Sequence, residues 1–406
     1  MSRWLARPDH VAERAGDLPA GFRAAGVACG LKPSGGLDLG LLVGSSQCVS
    51  AARFTRSGVL AAPVMLTRER SQLDALRVIV VNSGNANAAT GRRGFEDAAR
   101  MQGAAAMAGG VREDHVAVAS TGVIGVPLDA GLVIRGIANA RSELREYGHG
   151  DFSEAIRTTD KFAKEIEVDV ELPSGTVRLT AQAKGAGMIS PAFATMLCFV
   201  QTDAALSAET ADLLLGVCVA RSFDRVSVDG QLSTNDTVIL QASGESGVRV
   251  AAQSEDELRF GEALDWALRK LALDIVRDGE GSKRIGRVIV SGGADEVVAR
   301  AARAVANSPL VKAALHGGDP NWGRIAQAVG ASLYDTAPLA VDIAIEGVAV
   351  CAAGTAVPHD TAALAEAVAG DEVEYEVVLP GDGAEAEVFF SDLSHEYVTI
   401  NADYTT

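Results

Sequence analysis

Three stretches of the chain alternate between apolar residues and polar or small residues, and this two-residue repeat limits the possible folds more than any other pattern in the sequence. In Ile166–Leu172 and Val373–Val377 apolar residues alternate with acids, and in Val341–Ile345 they alternate with an acid and a small residue. Successive side chains of a strand point to opposite faces, so each stretch predicts a β-strand with one buried and one solvated face. Strands of this kind are typical of antiparallel sheets.

Helical patterns are interspersed with strand patterns along the whole chain. The sequence predicts buried strands at 78–81 and 116–119, and helices at 95–108, 132–144, 208–220, 255–276, 294–306 and 360–368. Mixed elements with antiparallel signals favour an α/β (α+β-like) layered sandwich over a regular doubly wound sheet. Neither an internal repeat nor a long linker divides the chain.

The charge balance excludes several classes of function. The 406 residues include 36 Lys and Arg against 53 Asp and Glu, which gives a net charge of −17. Nucleic-acid and anionic-membrane binding need clustered basic residues, and the sequence has no basic block. No apolar run reaches the roughly 18 residues that span a bilayer, and the N-terminus lacks the apolar core of a secretion signal. We therefore expect a cytoplasmic protein.

The cysteines and histidines form none of the usual ligand motifs. No C-x-x-C or H-E-x-x-H pattern occurs, so the sequence predicts no metal site. Small buried thiols in a reducing compartment are the expected state of the cysteines. These cysteines are Cys29, Cys48, Cys198, Cys218 and Cys351.

The segment from Lys184 to Val200 is the most unusual part of the chain. It reads KGAGMISPAFATMLCFV, a Gly-rich loop that leads into an apolar run with Thr195 at the junction. On pattern alone, Thr195 simply begins a buried strand. The alternative is a nucleophile, because cutting the chain before a Thr frees an α-amine that can take the hydroxyl proton. Such an amine has a pKa of about 7.7–8.0, which suits a base near neutral pH.

This segment resembles the self-cleavage site of the ornithine acetyltransferase (glutamate N-acetyltransferase) family of arginine biosynthesis. Other motifs similar to those of the family follow in the same order from about residue 20 to the C-terminus. They are NSGNANA at 82–88, STGVIG at 120–125, TTD at 158–160, STNDT at 233–237, DGEG at 278–281, DPNWGR at 319–324 and NADYTT at 401–406.

The resemblance implies a fold, an activity and an assembly. The fold is a sandwich of two packed sheets flanked by helices, superficially similar to the N-terminal-nucleophile hydrolases. Self-cleavage between Ala194 and Thr195 leaves an alpha fragment, 1–194, and a beta fragment, 195–406, in one catalytic unit and a heterotetramer of two copies of each. The acetyl group moves from N2-acetylornithine to glutamate through an acyl-enzyme on Thr195. No cofactor is implied, although acetyl-CoA serves as a donor in bifunctional members.

The resemblance also implies roles for individual residues. Thr121 and Gly122 correspond to the oxyanion hole of the family. A cation at Lys184 would pair with a substrate carboxylate, and an acid at Glu280 would hold an amine. The remaining substrate contacts are Thr158, Asn401 and Thr406. Four further residues lie in family motifs without an assigned role, namely Asn235, Asp236, Asn321 and Arg324.

Three departures from the family pattern bear on substrate preference. The sequence has Ser282–Arg284 where A-T-K is usual, Leu315–Gly318 ahead of Asp319, and Ser190–Phe193 where A-P-N-M is common. An acetyltransferase paralogue of a specialised pathway therefore stays open. So do a self-processing amidase or aminopeptidase, which delivers the acyl group to water, and a binding protein that keeps the fold without catalysis.

Overall fold

A computed structural model describes residues 2–45, 47–190 and 196–403. Its strands, numbered in chain order, are β1 Val11–Glu13, β2 Phe22–Val27, β3 Leu39–Gly44, β4 Val49–Phe54, β5 Val78–Asn85, β6 Val116–Val123, β7 Lys164–Leu172, β8 Gly175–Lys184, β9 Leu197–Thr202, β10 Val226–Ser227, β11 Thr237–Ala242, β12 Ile285–Ser291, β13 Asp342–Ile345, β14 Val348–Ala352, β15 Thr355–Ala356, β16 Glu372–Val378 and β17 Glu385–Ser391. Its α-helices are α1 Ala62–Arg70, α2 Gly91–Gly109, α3 Ala130–Ser142, α4 His149–Ile156, α5 Ala208–Arg221, α6 Glu255–Arg277, α7 Asp295–Asn307, α8 Pro309–Gly317, α9 Trp322–Ser332, α10 Thr361–Ala367 and α11 His395–Asp403.

The strands of the described residues form three sheets. The first has six strands in the order β1-β7-β8-β9-β11-β4, and the second has four in the order β2-β3-β5-β6. The third has seven in the order β10-β17-β12-β16-β13-β14-β15. β8 and β9, which flank residues 191–195, are antiparallel neighbours from Leu179↔Thr202 to Lys184↔Leu197.

The six-stranded and four-stranded sheets pack face to face. Leu42 and Ile79 from one sheet share a buried cluster with Phe199 and Ile239 from the other. Helices α5 and α6 cover the outer face of the six-stranded sheet, and α1, α2 and α3 cover that of the four-stranded sheet. The result is a helix–sheet–sheet–helix sandwich. The seven-stranded sheet builds a separate core with α7, α8 and α9.

The predicted layered α/β sandwich is confirmed, with one difference in the number of sheets. Two sheets pack as the resemblance implies, and a third sheet lies beside them within the described part of the chain. The predicted strands at 78–81 and 116–119 became the cores of β5 and β6, and the six predicted helices all formed within one to four residues of their expected ends. The alternating stretches lie in β7, β13 and β16.

The polar faces of the alternating strands are less solvated than predicted. In β7 the residues Ile166, Val168 and Val170 are buried, while Glu167 and Asp169 on the other face are half-buried. His149 Nε2 lies 2.9 Å from a Glu167 oxygen, and Arg14 Nε lies 3.6 Å from Asp169. Side chains of neighbouring elements therefore cover the acids, which the sequence of a single strand does not reveal.

Helix α6 brings the DGEG loop to the interior. Ser254 caps its start by accepting a hydrogen bond from the Glu257 backbone N–H at 3.2 Å, and the first turn carries three acids that favour the helix dipole. Apolar residues such as Phe260, Leu264 and Leu271 face the six-stranded sheet. The helix ends at Arg277, so Asp278 and Glu280 follow directly from a rigid, buried element.

Lys312 lies on α8, and its buried ammonium group contacts Ser391 at the end of β17. Burial lowers the pKa of Lys312 to about 7, against the opposing attraction of Asp229 and Asp392. Between pH 7 and about 10.5 the Lys312 side chain is protonated in the unfolded chain but neutral in the folded protein. Because the unfolded state binds more protons there, the free energy of unfolding increases as pH rises through that range.

We expect Lys312→Met to raise the thermal midpoint at pH 6, where the penalty for a buried charge is complete. The gain should shrink steadily by pH 9.5, by up to about 3 kcal/mol over the roughly 2.5 pH units above the pKa of about 7. Thermal scans at several pH values measure it, with Lys161→Met, on an exposed side chain, as the comparison. A gain that does not change with pH would contradict the assignment.

Candidate active site

A cavity of about 230 Å³ collects most of the predicted site residues. They come from the ends of separate elements: β6, β8, the turn after α4, the loop after α6, and α11. The cavity is lined by Ala86, Thr121, Gly122, Ile124, Thr158, Thr159, Lys184, Gly187, Met188, Asp229, Gln231, Ser233, Thr234, Asn235, Glu280, Tyr397 and Asn401. Ala194, Thr195 and Thr406 lie outside the described residues, so their predicted roles stay predictions.

The Thr121–Gly122 pair lies at the carboxyl end of β6. β6 runs parallel to β5, with Thr121 opposite Ser83 and Gly122 opposite Gly84. Gly122 has φ +129°, and a Cβ there would lie 2.4 Å from the carbonyl carbon of Gly84 and 2.6 Å from the nitrogen of Asn85. Only glycine fits this conformation and this close approach. The backbone therefore fixes the place of the predicted oxyanion donors at the cavity wall.

Lys184 ends β8 with its ammonium group buried in the cavity wall. Its Nζ donates to the Thr158 hydroxyl at 2.8 Å and to the Thr121 hydroxyl at 3.2 Å. Asp160 Oδ2 lies 4.0 Å away, and the Lys184 side chain is 4 % exposed. Burial lowers the pKa of Lys184, and the charge of Asp160 opposes that shift.

Behind Lys184 lies a buried network of charges. Lys164 Nζ donates to Asp160 Oδ1 at 2.8 Å and to Asp278 Oδ2 at 2.5 Å, and all three side chains are fully buried. Burial alone would raise the pKa of Asp160, but the ammonium groups of Lys184 and Lys164 hold it below its usual value. Burial raises the pKa of Asp278 against the attraction of Lys164. This network ties the TTD and DGEG segments together.

The site prediction included neither Lys164 nor the acids that it joins. The sequence does contain a signal for Lys164. Every second residue of a strand points to the same face, so Lys164 is predicted to point inward with Ile166, Val168 and Val170. An inward lysine at the start of a strand requires a buried acid as its partner. Which acid is the partner depends on tertiary contacts, and the alternation of residues in β7 does not predict these contacts.

Glu280 faces the cavity from the turn after α6. It accepts a hydrogen bond from Asn401 Nδ2 at 2.8 Å, and its backbone N–H donates to the Ala186 carbonyl at 2.9 Å. Gly187 packs so closely that a Cβ there would lie 2.7 Å from the Glu280 carboxylate. Gly187 of the KGAG segment therefore lets this loop approach a carboxylate in the cavity wall.

Asp229 is a second lining acid that the site prediction did not contain. Its carboxylate accepts from the backbone N–H groups of Met188 at 2.6 Å and Ile189 at 2.8 Å. The Tyr397 hydroxyl donates to it at 3.3 Å. Burial raises the pKa of both Asp229 and Tyr397. Asp229 thus holds the loop that leads towards residues 191–195.

The four residues without assigned roles divide into two groups. Asn235 lines the cavity and donates to the Ala86 carbonyl at 2.8 Å, and the buried carboxylate of Asp236 accepts from the Met196 N–H at 2.9 Å. Burial raises the pKa of Asp236 well above its usual value. Asn321, by contrast, caps α9, and Arg324 donates to the Leu310 carbonyl at 2.9 Å. Neither of these two lines the cavity.

One group in the described residues has ligand types that metals use. Ligand atoms of His149, Glu165 and Glu167 lie within 4.8 Å of one another, away from the residues that line the cavity. The His149 Nε2–Glu167 distance of 2.9 Å is that of an ordinary hydrogen-bonded contact. The prediction that the protein has no metal stays a prediction. In the described residues no helix combines the length and the apolarity needed to cross a membrane.

Known proteins match this chain over nearly its full length. The model of the ArgJ family matches residues 23–406. "Arginine biosynthesis bifunctional protein ArgJ" of Symbiobacterium thermophilum is 44 % identical over 96 % of this chain and 98 % of its own. "Glutamate N-acetyltransferase" of Methanocaldococcus jannaschii is 40 % identical over 96 % and 98 %.

A solved structure is similar to part of the chain. Ornithine acetyltransferase of Mycobacterium tuberculosis, solved in complex with ornithine, is 35 % identical with a TM-score of 0.41, over 46 % of this chain and 99 % of that one. The match of the family model to residues 23–406 and the identities of 40 % and 44 % are sufficient to assign the family. The chain is a member of the ArgJ family.

Proposed function

We propose that this protein is a glutamate N-acetyltransferase, which moves the acetyl group of N2-acetylornithine to glutamate. The observation that carries the proposal is the single cavity that brings Thr121, Gly122, Lys184 and Glu280 together. The names of the relatives support the same reaction, and the ornithine bound to the Mycobacterium tuberculosis protein supports the substrate class. A buried acid and a buried cation in one wall suit a zwitterionic amino acid.

In the proposed first half-reaction, the Thr195 hydroxyl oxygen attacks the acetyl carbonyl carbon while the Thr195 α-amine takes the hydroxyl proton. The carbonyl oxygen becomes negative and accepts hydrogen bonds from the Thr121 hydroxyl and the Gly122 N–H. The carbon–nitrogen bond then breaks, and the proton passes to the departing amine of ornithine. Acetyl-Thr195 and free ornithine remain.

The second half-reaction runs the same steps with glutamate. The neutral amine of glutamate attacks the ester carbonyl, its proton passes to the Thr195 α-amine, and the hydroxyl of Thr195 recovers that proton as it departs. The carboxylates of Glu280 and Asp229 face the cavity and can hold substrate ammonium groups. Neither half-reaction needs a cofactor.

The α-amine exists only if the chain is cut between Ala194 and Thr195. We therefore propose an alpha fragment, 1–194, and a beta fragment, 195–406, that share the cavity. The alpha fragment supplies Lys184, and the beta fragment supplies Glu280. The sequence-based predictions of a cytoplasmic enzyme and of a heterotetramer with two copies of each fragment complete the proposal.

Intact mass measurement of the purified protein tests the proposal. We expect two associated fragments of 194 and 212 residues, which together make the 406 of the chain. Brief incubation with N2-acetylornithine should add about 42 Da to the beta fragment, as a covalent acetyl group requires. Later addition of glutamate should remove that mass and yield N-acetylglutamate.

Two results would contradict the proposal. An intact chain in a preparation that is active would exclude the N-terminal threonine mechanism. Consumption of acetylornithine at the same rate with and without glutamate would identify a hydrolase instead. Replacing acetylornithine by acetyl-CoA in the same assay tests whether the enzyme is bifunctional.

A further inference from the structure

Building on the proposed acetyl transfer, we propose that Lys184 is a positioning residue that sets the direction in which the Thr121 hydroxyl donates. The resemblance assigns Lys184 to a substrate carboxylate, which is a different role. The geometry also joins its ammonium group to the hydroxyl that is expected to hold the oxyanion, at 3.2 Å.

The ammonium group of Lys184 and the hydroxyl of Thr121 differ in their numbers of hydrogen-bond donors and acceptors. An ammonium group has three N–H donors and no acceptor, whereas a hydroxyl has one donor and can accept twice. The contacts of Lys184 Nζ with Thr121 Oγ1 and Thr158 Oγ1 therefore have only one sense, in which the lysine donates and each hydroxyl accepts. The proton of the Thr121 hydroxyl must then point away from Lys184.

The Thr121 hydroxyl borders the cavity, so its proton can be donated there. Thr121 is 5 % exposed and lines the cavity, and within 2–45, 47–190 and 196–403 the bond from Lys184 is the only hydrogen bond of its hydroxyl. The proton is thus available to an acceptor in the cavity, where the carbonyl oxygen of a bound acetyl group would lie. A donor that is already oriented loses no energy to reorientation when the charge develops.

The position of Lys184 is itself fixed from behind. Asp160 Oδ1 accepts from the Gly185 N–H at 2.7 Å and from Lys164 at 2.8 Å, which holds the Asp160 carboxylate beside the end of β8. Two of the three donors of the ammonium group lie on Thr121 and Thr158, and Asp160 is 4.0 Å away, so one N–H is left for a substrate. A cation that donates to a hydroxyl also strengthens the bond that the hydroxyl donates in turn.

A double-mutant cycle separates this role from direct substrate binding. The variants are Lys184→Met, Thr121→Val and the double variant, each assayed for kcat and for KM of both substrates. Removing an oxyanion donor costs about 10²–10³-fold in kcat, so we expect that loss in Thr121→Val and a loss of about 10–10²-fold in Lys184→Met. With the Thr121 hydroxyl absent, Lys184→Met should lower kcat by less than about 3-fold further, because the residue acts through that hydroxyl.

Two controls complete the experiment. Lys161→Met, at an exposed neighbouring lysine, should leave both constants unchanged. Thr121→Ser keeps a hydroxyl, so Lys184→Met in that background should cost as much as in the wild type. Self-cleavage also passes through a tetrahedral intermediate, so any variant that is incompletely cleaved is compared by its cleavage half-time, where the same non-additivity is expected.

The inference would be overturned if the loss of kcat in the double variant equalled the product of the two single losses, or if Lys184→Met changed only KM. Either result would favour direct contact of Lys184 with a substrate carboxylate as its role. A wild-type protein that transfers no acetyl group would refute the proposed function instead. In that case the cleavage half-times decide the inference independently.

Discussion

A Thr195→Ala variant is expected to remain one chain of 406 residues and to lose acetyl transfer almost completely. The substitution removes the hydroxyl that would attack the chain during self-cleavage and the acetyl group during transfer. Loss of the nucleophile of a serine protease costs about 10⁶-fold in kcat, and we expect a comparable loss here. A denaturing gel and an assay of N-acetylglutamate measure the two outcomes.

Thr195→Ser is the matched variant for this experiment. Serine supplies a hydroxyl and, after cleavage, an α-amine, so two fragments and a measurable activity should remain. A cleaved and active Thr195→Ala protein would refute Thr195 as the nucleophile. Circular dichroism of both variants shows whether the sandwich has formed.

Gly122→Ala is expected to lower kcat by at least 10²–10³-fold, the cost of losing one oxyanion donor. The new Cβ would lie 2.4 Å from the Gly84 carbonyl carbon, and φ +129° is unfavourable for alanine. Since neither β5 nor β6 can move without disturbing the core, the backbone N–H of residue 122 must shift. Steady-state kinetics with both substrates, together with a thermal scan, would measure the effect.

Gly125→Ala provides a close comparison, three residues further along the chain and just after β6. Gly125 also has a positive φ, +82°, but a Cβ there meets nothing within 4 Å. This variant should lose on the order of 1 kcal/mol of stability and little activity. Equal losses of kcat in Gly122→Ala and Gly125→Ala would mean that strain in the loop, and not the oxyanion donor, controls the rate.

Much of the sandwich follows from periods in the sequence. The alternation in β7 and the apolar runs in β5 and β6 predicted both the elements and their buried faces. In the third sheet the alternation predicted β13 and β16, but β10 and β15 could not be predicted in the same way, because they have only two residues each. Such short strands depend on their partners: β10 pairs with the distant strand β17, and β15 pairs with its neighbour β14 in a tight hairpin.

The site was predictable only through the resemblance. Thr121, Lys184 and Glu280 are far apart in the chain, and long-range strand pairing brings them together. The sequence of the loop could not predict that the Asp229 carboxylate accepts hydrogen bonds from the N–H groups of Met188 and Ile189. These residues lie about 40 positions away in the chain. The buried network of Lys164 could not be predicted from the sequence for the same reason, although the alternation in β7 places the Lys164 side chain inward.

The strand order of the six-stranded sheet has a consequence for the assembly of the two proposed fragments. β9 and β11, from the proposed beta fragment, lie between β8 and β4, which belong to the alpha fragment. Either fragment alone would expose unpaired strand edges in the middle of this sheet, and such edges promote aggregation. Cleavage should therefore follow folding, and the two fragments should behave as one cooperative unit that neither dissociates on dilution nor assembles from separately produced halves.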